Sequence, residues 1–191
     1  MNVLIINASP RKNGAVSQML AAMQEAAEQC NMNVKTVHTS VLQLKHCTGC
    51  MYCRAHSECC LPEDDSQRVL KMIQHCDLLI IGAPCYWGNI PGELKILFDR
   101  IVYGMMDESK RGIPIPLHKG KKAMIVSTST TSFPFNILFN QTRGVVKALK
   151  EILRWSGFKI CATYERGGTK NKPLSDRDLQ RCRALITKRY Q

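Results

Sequence analysis

With 191 residues, of which 45% are hydrophobic, the chain has the length of a single domain with one well-filled core, and we expect such a domain over residues 1–191. It has neither an apolar run of roughly 20 residues nor a cleavable leader after Met1, so we expect a cytoplasmic protein that does not cross a membrane. The net charge of +12 calls for an anionic partner, but the basic residues are scattered without the aromatic-rich motif of a nucleic-acid reader, so we do not expect nucleic acid.

The hydrophobic pattern predicts short buried strands that alternate with amphipathic helices. The predicted strands are 3–6, 34–38, 77–82, 121–127 and 158–163, and the predicted helices contain 19–27, 66–74, 91–101, 145–155 and 175–190. Strands without an in-and-out alternation are buried on both faces, which is typical of parallel sheets. We therefore expect an α/β fold, a doubly wound five-stranded parallel sheet with helices on both faces. Its ligand site is expected outside the carboxyl ends of the strands.

The loop after the first strand carries groups that suit a phosphate. It leads into a helix, whose free backbone amides and dipole attract an anion. Ser9 and Ser17 add hydroxyls, Arg11 adds a planar cation, and Gly14 lets the main chain approach a ligand closely. The loop has no dinucleotide or nucleoside-triphosphate motif, so we expect a mononucleotide. An ordinary helix start capped by Asn13 or Ser17 is the alternative.

The loop after the third strand places two aromatic residues at the same edge. A flat ring needs an apolar wall and a few backbone donors, and this loop offers both. The residues concerned are Pro84, Tyr86, Trp87, Gly88 and Asn89. The alternative is that the two aromatic rings fill core space beneath the loop.

Both loops carry a resemblance to a known family. Ser9-Pro10-Arg11-Lys12-Asn13-Gly14 resembles the flavin-phosphate loop of the NADPH-dependent FMN reductase and iron–sulfur flavoprotein family, whose fold is flavodoxin-like. Pro84-x-Tyr86-Trp87-x-x-Ile90-Pro91 is similar to its second signature, which embraces the flavin ring. The family usually has Asn and Thr or Ser where this chain has Ala15 and Val16, so Ser17 is expected to supply the hydroxyl. The resemblance implies that FMN is bound by Ser9, Arg11, Asn13, Ser17, Pro84, Tyr86, Trp87, Gly88, Asn89, Ser127 and Thr128.

The cysteines divide into a cluster and a scattered set. Five of the ten lie in a cysteine-rich loop at about 45–65, and a reducing compartment favours metal or redox chemistry over disulfides there. The scattered set is predicted to consist of small buried hydrophobic residues. It comprises Cys30, Cys76, Cys85, Cys161 and Cys182.

The clustered spacing, Cys47-x2-Cys50-x2-Cys53 followed by Cys59 or Cys60, is too compact for paired zinc knuckles and suits an iron–sulfur cubane. It also resembles the motif of iron–sulfur flavoproteins, which implies a 4Fe-4S cluster close to FMN. In that family a pair like Asp64-Asp65 commonly follows the last cysteine, which favours Cys60 as the fourth ligand, with Cys59 as the alternative. A structural zinc site and a metal-free loop remain the other interpretations.

The resemblance implies an enzyme, a flavin-dependent NAD(P)H oxidoreductase. Electrons would pass from NAD(P)H or a ferredoxin-like donor, through FMN and the cluster, to a small-molecule or protein acceptor. No catalytic side chain is expected, because a flavin supplies its own chemistry. An electron carrier that accepts electrons from ferredoxin, without a dedicated small substrate, is the alternative. The family also implies a homodimer or homotetramer, to which the stretch 103–117 would contribute.

Overall fold

A computed structural model describes residues 1–190, which form a parallel sheet flanked by helices. The strands are β1 (Asn2–Asn7), β2 (Asn33–His38), β3 (Leu78–Pro84), β4 (Met106–Glu108), β5 (Pro114–Pro116), β6 (Lys122–Thr128) and β7 (Lys159–Arg166). The helices are α1 (Ala15–Gln29), α2 (Tyr52–His56), α3 (Asp65–His75), α4 (Gly92–Arg100), α5 (Val102–Met105), α6 (Phe135–Leu138), α7 (Gln141–Trp155) and α8 (Asp176–Tyr190). A 3₁₀ turn, Thr39–Val41, follows β2.

The five long strands form one sheet in the order β2-β1-β3-β6-β7, and each neighbouring pair is parallel. This is the flavodoxin-like order, so the predicted fold class is confirmed. The two short strands β4 and β5 form a separate antiparallel hairpin. In the main sheet β1, β3 and β6 lie side by side, which brings the loops after them together.

Side chains alternate between two cores, one on each face of the sheet. Leu4, Ile6 and Leu79 point toward α3, α4 and α7, whereas Ile5 and Ile80 point toward α1 and α8. Burial on both faces explains why the strands are continuous apolar runs in the sequence. The sheet is therefore held from both sides, and its carboxyl edge is a rigid platform for loops.

The predicted elements are confirmed with small shifts of their ends. The helix predicted at 145–155 begins earlier, at Gln141, and the last strand extends to Arg166. The sequence pattern missed the single-turn helices α2, α5 and α6 and the hairpin β4–β5, because none of them is long enough to show a hydrophobic period. Within residues 1–190, no helix has the length and apolar content that crossing a bilayer would require.

Carboxylates fix the starts of two helices. The side chain of Asp64 accepts a hydrogen bond from the Ser66 amide, and Gln67 closes the capping box. At α8, Asp178 accepts hydrogen bonds from the amide and hydroxyl of Ser175 and from the Tyr164 hydroxyl at 2.7 Å. These contacts tie α8 to strand β7 on the face opposite α7.

Candidate functional site

Three loops converge at the carboxyl edge of β1, β3 and β6. The Ala8 amide donates to the Gly82 carbonyl at 2.8 Å, which joins the first loop to β3. The Cys85 amide donates to the Thr128 carbonyl at 2.8 Å, which joins the second loop to the third. The predicted site residues on these three loops are therefore brought to one edge of the sheet.

The first loop is folded around the Arg11 carbonyl oxygen. That oxygen accepts hydrogen bonds from the Ser17 hydroxyl at 2.8 Å, the Gly14 amide at 3.1 Å and the Ser9 hydroxyl at 3.2 Å. The Asn7 amide group in turn donates to the Ser17 hydroxyl at 3.0 Å. The two serines are buried and shape the loop, whereas the side chains of Arg11 and Asn13 are exposed.

Helix α1 begins without a side-chain cap. Its N-cap residue is Gly14, so the alternative of a cap by Asn13 or Ser17 is wrong. The first amides of a helix have no partner within it, and here they face the loop opening. A methyl group at Gly14 would lie 3.0 Å from Arg11 Cβ and 3.2 Å from the Ser9 hydroxyl, so a larger residue there would require the loop to shift slightly. The opening combines free amides, a positive helix end and an exposed guanidinium, which suits a phosphate.

The second loop forms a tight two-residue turn. The amides of Tyr86 and Asn89 each donate to the other residue's carbonyl at 3.0 Å. The two residues between them have positive φ, 54° at Trp87 and 71° at Gly88. Trp87 is fully exposed and Tyr86 is about half exposed, so the interpretation that both rings fill the core is wrong. The turn instead presents an aromatic surface at the edge of the sheet.

Helix α7 supports this turn from behind. A methyl group at Gly144 would lie 1.8 Å from the Gly88 carbonyl oxygen, so the helix approaches the turn as closely as a glycine allows. The Cys85 thiol contacts the Gln141 side-chain oxygen at 3.4 Å. The position of the aromatic turn therefore depends on the start of α7.

Buried polar atoms without partners lie on either side of the third loop, at the end of β6 and in α6. Ser127 and Thr128 end strand β6 and are buried. Within residues 1–190, neither the Ser127 hydroxyl nor the Asn136 side-chain oxygen has a hydrogen-bond partner. Buried polar atoms are nearly always satisfied in native proteins, so such atoms beside a candidate site indicate a missing ligand or water.

The clustered cysteines line one cavity at the end of α4. Its volume is about 330 Å³, and Arg100 and Val102 form part of its wall. All five clustered cysteines line it: Cys47, Cys50, Cys53, Cys59 and Cys60. The sulfurs of Cys50 and Cys60 lie 3.5 Å apart. The Tyr52 amide and the Cys60 thiol lower the pKa of Cys50, and the same sulfur contact raises the pKa of Cys60.

Arg100 is a buried cation beneath this cavity, with 1% of its surface exposed. It donates to the Cys59 sulfur at 2.7 Å, to the Asp64 carboxylate at 3.0 Å and to the Pro62 carbonyl at 3.2 Å. Burial acts to raise the pKa of Asp64, but hydrogen bonds from Ser66, the Lys45 amide and Arg100 outweigh it and leave that pKa lowered. The guanidinium thus joins α4 to the cysteine loop and to the start of α3.

Comparison with known proteins identifies the family. Residues 1–160 match the sequence profile of the NADPH-dependent FMN reductase family. The chain belongs to this family.

Two curated relatives extend the match. An iron–sulfur flavoprotein of Archaeoglobus fulgidus is 34% identical over 105 residues, which cover 54% of this chain and 47% of the relative. An FMN-dependent NADH:quinone oxidoreductase of Pseudomonas syringae pv. tomato is 42% identical over 67 residues, 35% of this chain and 33% of the relative. Aligned to the curated iron–sulfur flavoproteins that it matches, the chain spans about half of their length.

A solved structure shows the same fold over nearly the whole chain. The FMN-dependent NADH-azoreductase from Bacillus anthracis, determined in complex with FMN, has a TM-score of 0.77 and 14% identity. The match covers 100% of this chain and 99% of that one. The family's flavodoxin-like fold is therefore present from end to end.

In this member of the FMN reductase family, the cysteine cavity can be compared with the two metal centres expected there, a structural zinc ion and an iron–sulfur cluster. A structural zinc needs four donors that converge tetrahedrally on one point. In the described part of the chain, no group of three or more His, Cys, Asp or Glu side chains is arranged to hold a metal ion. The thiolates of an iron–sulfur cubane each bind a different iron, so they surround a space instead of a point. The five cysteines line one cavity, so their number, but not their present arrangement, matches that donor set.

The scattered cysteines behave differently from the prediction in three of five cases. Cys76 and Cys182 are buried, and burial raises their pKa to about 11 and about 12 respectively. The prediction of buried residues is wrong for Cys30, Cys85 and Cys161, which are partly exposed. Cys85 lies in the second loop and Cys161 in an edge strand, where neighbours cover only one side.

Sequence reasoning missed an exposed apolar segment next to the site. Four large apolar side chains are exposed after the third loop: Phe133, Phe135, Leu138 and Phe139. A patch of this kind marks a surface for a partner or ligand. The signal available in the sequence was the density of phenylalanine between 133 and 139 in a segment without a strand or long-helix pattern.

Proposed function

We propose that this protein is an FMN-dependent oxidoreductase that takes electrons from NAD(P)H and passes them to a small-molecule acceptor such as a quinone. The observation that carries the proposal is the convergence of a phosphate-type loop and an exposed aromatic turn at one edge of the sheet. Membership of the FMN reductase family supports it, and so does a relative named for NADH:quinone oxidoreduction.

Each loop has a separate part in holding FMN. The amides at the start of α1, together with Arg11 and Asn13, would bind the phosphate, while Ser9 and Ser17 keep the loop in shape. The ring would lie against Trp87, with a hydrogen bond to the free Ser127 hydroxyl. The full set proposed to bind FMN is Ser9, Arg11, Asn13, Ser17, Pro84, Tyr86, Trp87, Gly88, Asn89, Ser127 and Thr128.

The chemistry in this proposal belongs to the cofactor. Bound FMN would accept a hydride and release the electrons one or two at a time. The protein binds the ring, orients it and leaves one face open to a donor, since Trp87 projects from the surface. No side chain of the three loops is needed as a nucleophile or as a general base.

We further propose that Cys47, Cys50, Cys53 and Cys60 hold a 4Fe-4S cluster, with Cys59 as the alternative fourth ligand. The cavity lined by all five thiols supports the cluster, as does the likeness to proteins named iron–sulfur flavoproteins. Cys59 is fixed by Arg100, whereas Cys60 is exposed and near Cys50. A reduced thiol cluster of this kind also suits the cytoplasm.

Anaerobic purification tests both cofactors. We expect flavin absorption together with about four iron and four sulfide per chain, and oxidation of NAD(P)H with a quinone faster than free FMN achieves. The variants Cys59→Ser and Cys60→Ser assign the fourth ligand by their iron content, with Cys30→Ser as the control. A flavin spectrum without iron would contradict the cluster, and turnover no faster than free FMN would contradict the enzyme.

An electron carrier is the second candidate, because the chain as a whole has a net charge of +12, which would attract an acidic donor such as ferredoxin to the cysteine cavity. Reduction by a ferredoxin-like protein but not by NAD(P)H would favour it.

In either case we propose a homodimer or homotetramer, in which a second copy covers the exposed apolar segment 133–139. Light scattering measures the mass directly, and a monomer at micromolar concentration would contradict this.

A further inference from the structure

A groove of about 760 Å³ runs along α7 where this helix faces the edge strand β7. Four cationic side chains line it: Arg143, Lys147, Lys150 and Arg154. They follow one another at intervals of four, three and four residues, so they form one stripe on the helix. From the first to the last, the stripe is about 17 Å long at the rise of an α-helix.

These four cations have no partners among the described residues. None of the four side chains makes an ion pair or donates a hydrogen bond within residues 1–190. Two carboxylates also line the groove, and one of them, Glu165, accepts a hydrogen bond from Thr142 at 2.8 Å. The groove therefore holds an excess of unpaired positive charge, which attracts an anion.

The far end of the groove adds an aromatic surface. Trp155 lines the groove and is about half exposed. Lys150 and Arg154 also line a second pocket of about 280 Å³, which lies against residues 160–163 of β7. The cationic stripe thus ends beside an exposed indole ring, a combination that suits a phosphorylated nucleoside with a flat base.

The near end of the groove reaches the aromatic turn of the candidate flavin site. Asn140 lines the groove, and a methyl group at Gly88 would lie 3.2 Å from its carbonyl oxygen. The helix that carries the stripe begins one residue later, at Gln141. One continuous surface therefore leads from the Trp87–Gly88 turn, along the four cations, to Trp155.

We propose that this groove binds the adenosine 2′,5′-bisphosphate half of NADPH, which places the nicotinamide at the Trp87–Gly88 turn. Lys150 and Arg154 bind the 2′-phosphate, Arg143 and Lys147 bind the pyrophosphate, and Trp155 stacks on the adenine. The inference rests on the proposed function for its hydride donor. The groove has the volume of a small-molecule site and is concave, which favours a dinucleotide over the flat surface of an acidic protein. The stripe is long enough for two cations to bind the pyrophosphate and two to bind the 2′-phosphate. NADPH carries a 2′-phosphate and NADH does not, so we expect the groove to bind NADPH more tightly than NADH.

Steady-state kinetics of the FMN-loaded protein test the preference. The variant Lys150→Gln is expected to raise KM for NADPH about tenfold, the loss of one charge-assisted contact, with kcat and KM for NADH changed less than about twofold. Lys188→Gln is the matched control, because Lys188 lies on α8 across the sheet. An unchanged KM for NADPH, or an equal loss with NADH, would overturn the assignment.

Calorimetry separates the groove from the enzyme proposal, because it needs no turnover. Adenosine 2′,5′-bisphosphate is expected to bind the FMN-loaded protein at least about tenfold more tightly than 5′-AMP, and Lys150→Gln is expected to remove that difference. If the protein oxidises neither NADPH nor NADH but still shows this binding, the proposed function fails and the groove assignment stands. If an acidic protein binds the stripe while the bisphosphate does not, the groove assignment fails.

Discussion

Trp87 combines full exposure with a backbone conformation that is unfavourable for a residue with a side chain. Its φ of 54° lies in the left-handed region, where a bulky residue is strained by about 1–2 kcal/mol. No burial compensates for this, since the ring contacts solvent. Strain without packing indicates a role in binding a ligand.

The variant Trp87→Gly separates that role from stability. We expect the free energy of unfolding to stay the same or to rise by up to about 1 kcal/mol, because glycine relieves the strain. We expect FMN affinity to fall about tenfold, because an aromatic wall is lost. Denaturant unfolding and FMN fluorescence titration measure the two effects. Asn31→Gly, at another positive φ far from the loops, should change stability alone; unchanged FMN affinity in Trp87→Gly would contradict the ring site.

Gly144 is a second residue whose identity is dictated by contact. Alanine is the better helix former by about 1 kcal/mol, yet its methyl group would meet the Gly88 carbonyl oxygen. Gly144→Ala is therefore expected to lower stability by about 1–3 kcal/mol and to weaken FMN binding by displacing the turn. Gly92→Ala is the control, since open space surrounds that position in the first turn of α4. A stabilised Gly144→Ala variant would show that α7 does not support the turn.

Two junctions between elements depend on buried carboxylates. The first joins α8 to β7. Burial acts to raise the pKa of Asp178, but hydrogen bonds from Ser175, Tyr164 and Arg166 outweigh it and hold that pKa far below its ordinary value of 3.8. A carboxylate with a lowered pKa stabilises the fold above its unfolded pKa, and that stabilisation is lost as the pH falls.

Acid unfolding measures this junction. Between about pH 4 and pH 2 we expect the free energy of unfolding of the wild type to fall steeply. In this range Asp178 is protonated in the unfolded chain but stays ionised in the folded protein. Asp178→Asn is expected to be less stable at pH 7 and to show a flatter decline over the same range. Asp176→Asn, an exposed first-turn residue of α8, is the control. A decline as steep in Asp178→Asn as in wild type would contradict the assignment.

The second junction is Arg100, which joins α4 to the cysteine loop and to α3. Removing one member of a buried pair leaves the other unsatisfied, so Arg100→Met is expected to cost about 3–5 kcal/mol of unfolding free energy. Arg68→Met breaks the exposed pair with Asp65 and should cost less than about 1 kcal/mol. Equal effects in the two variants, measured by denaturant unfolding, would show that Arg100 does not hold the loop.

The elements also show how far the sequence alone leads. Long apolar strands and amphipathic helices were predictable, because burial on both faces leaves a pattern within each segment. The aromatic and phosphate-type loops were predictable, because they follow directly after those strands. Arg100 was not, since its partners Cys59 and Asp64 are 41 and 36 residues away. The stripe on α7 was missed because a row of cations on a helix gains meaning only from the strand beside it.

At the scale of the whole molecule, the two faces of the sheet have different tasks. The face that carries α1 and α8 is closed by packing and by the Asp178 junction. The other face carries the cysteine cavity, the supporting glycine of α7 and the cationic groove, and the glycine and one end of the groove lie against the aromatic turn. One end of the cationic groove therefore meets the aromatic turn on this face.

Binding of FMN through its phosphate at the three-loop edge is tested by comparing FMN with riboflavin. We expect the fluorescence of FMN to be quenched at one equivalent per chain, with at least about 100-fold weaker binding of riboflavin, because riboflavin lacks the group that the α1 amides and Arg11 would bind. Unquenched FMN fluorescence, or equal affinity for the two flavins, would contradict the claim.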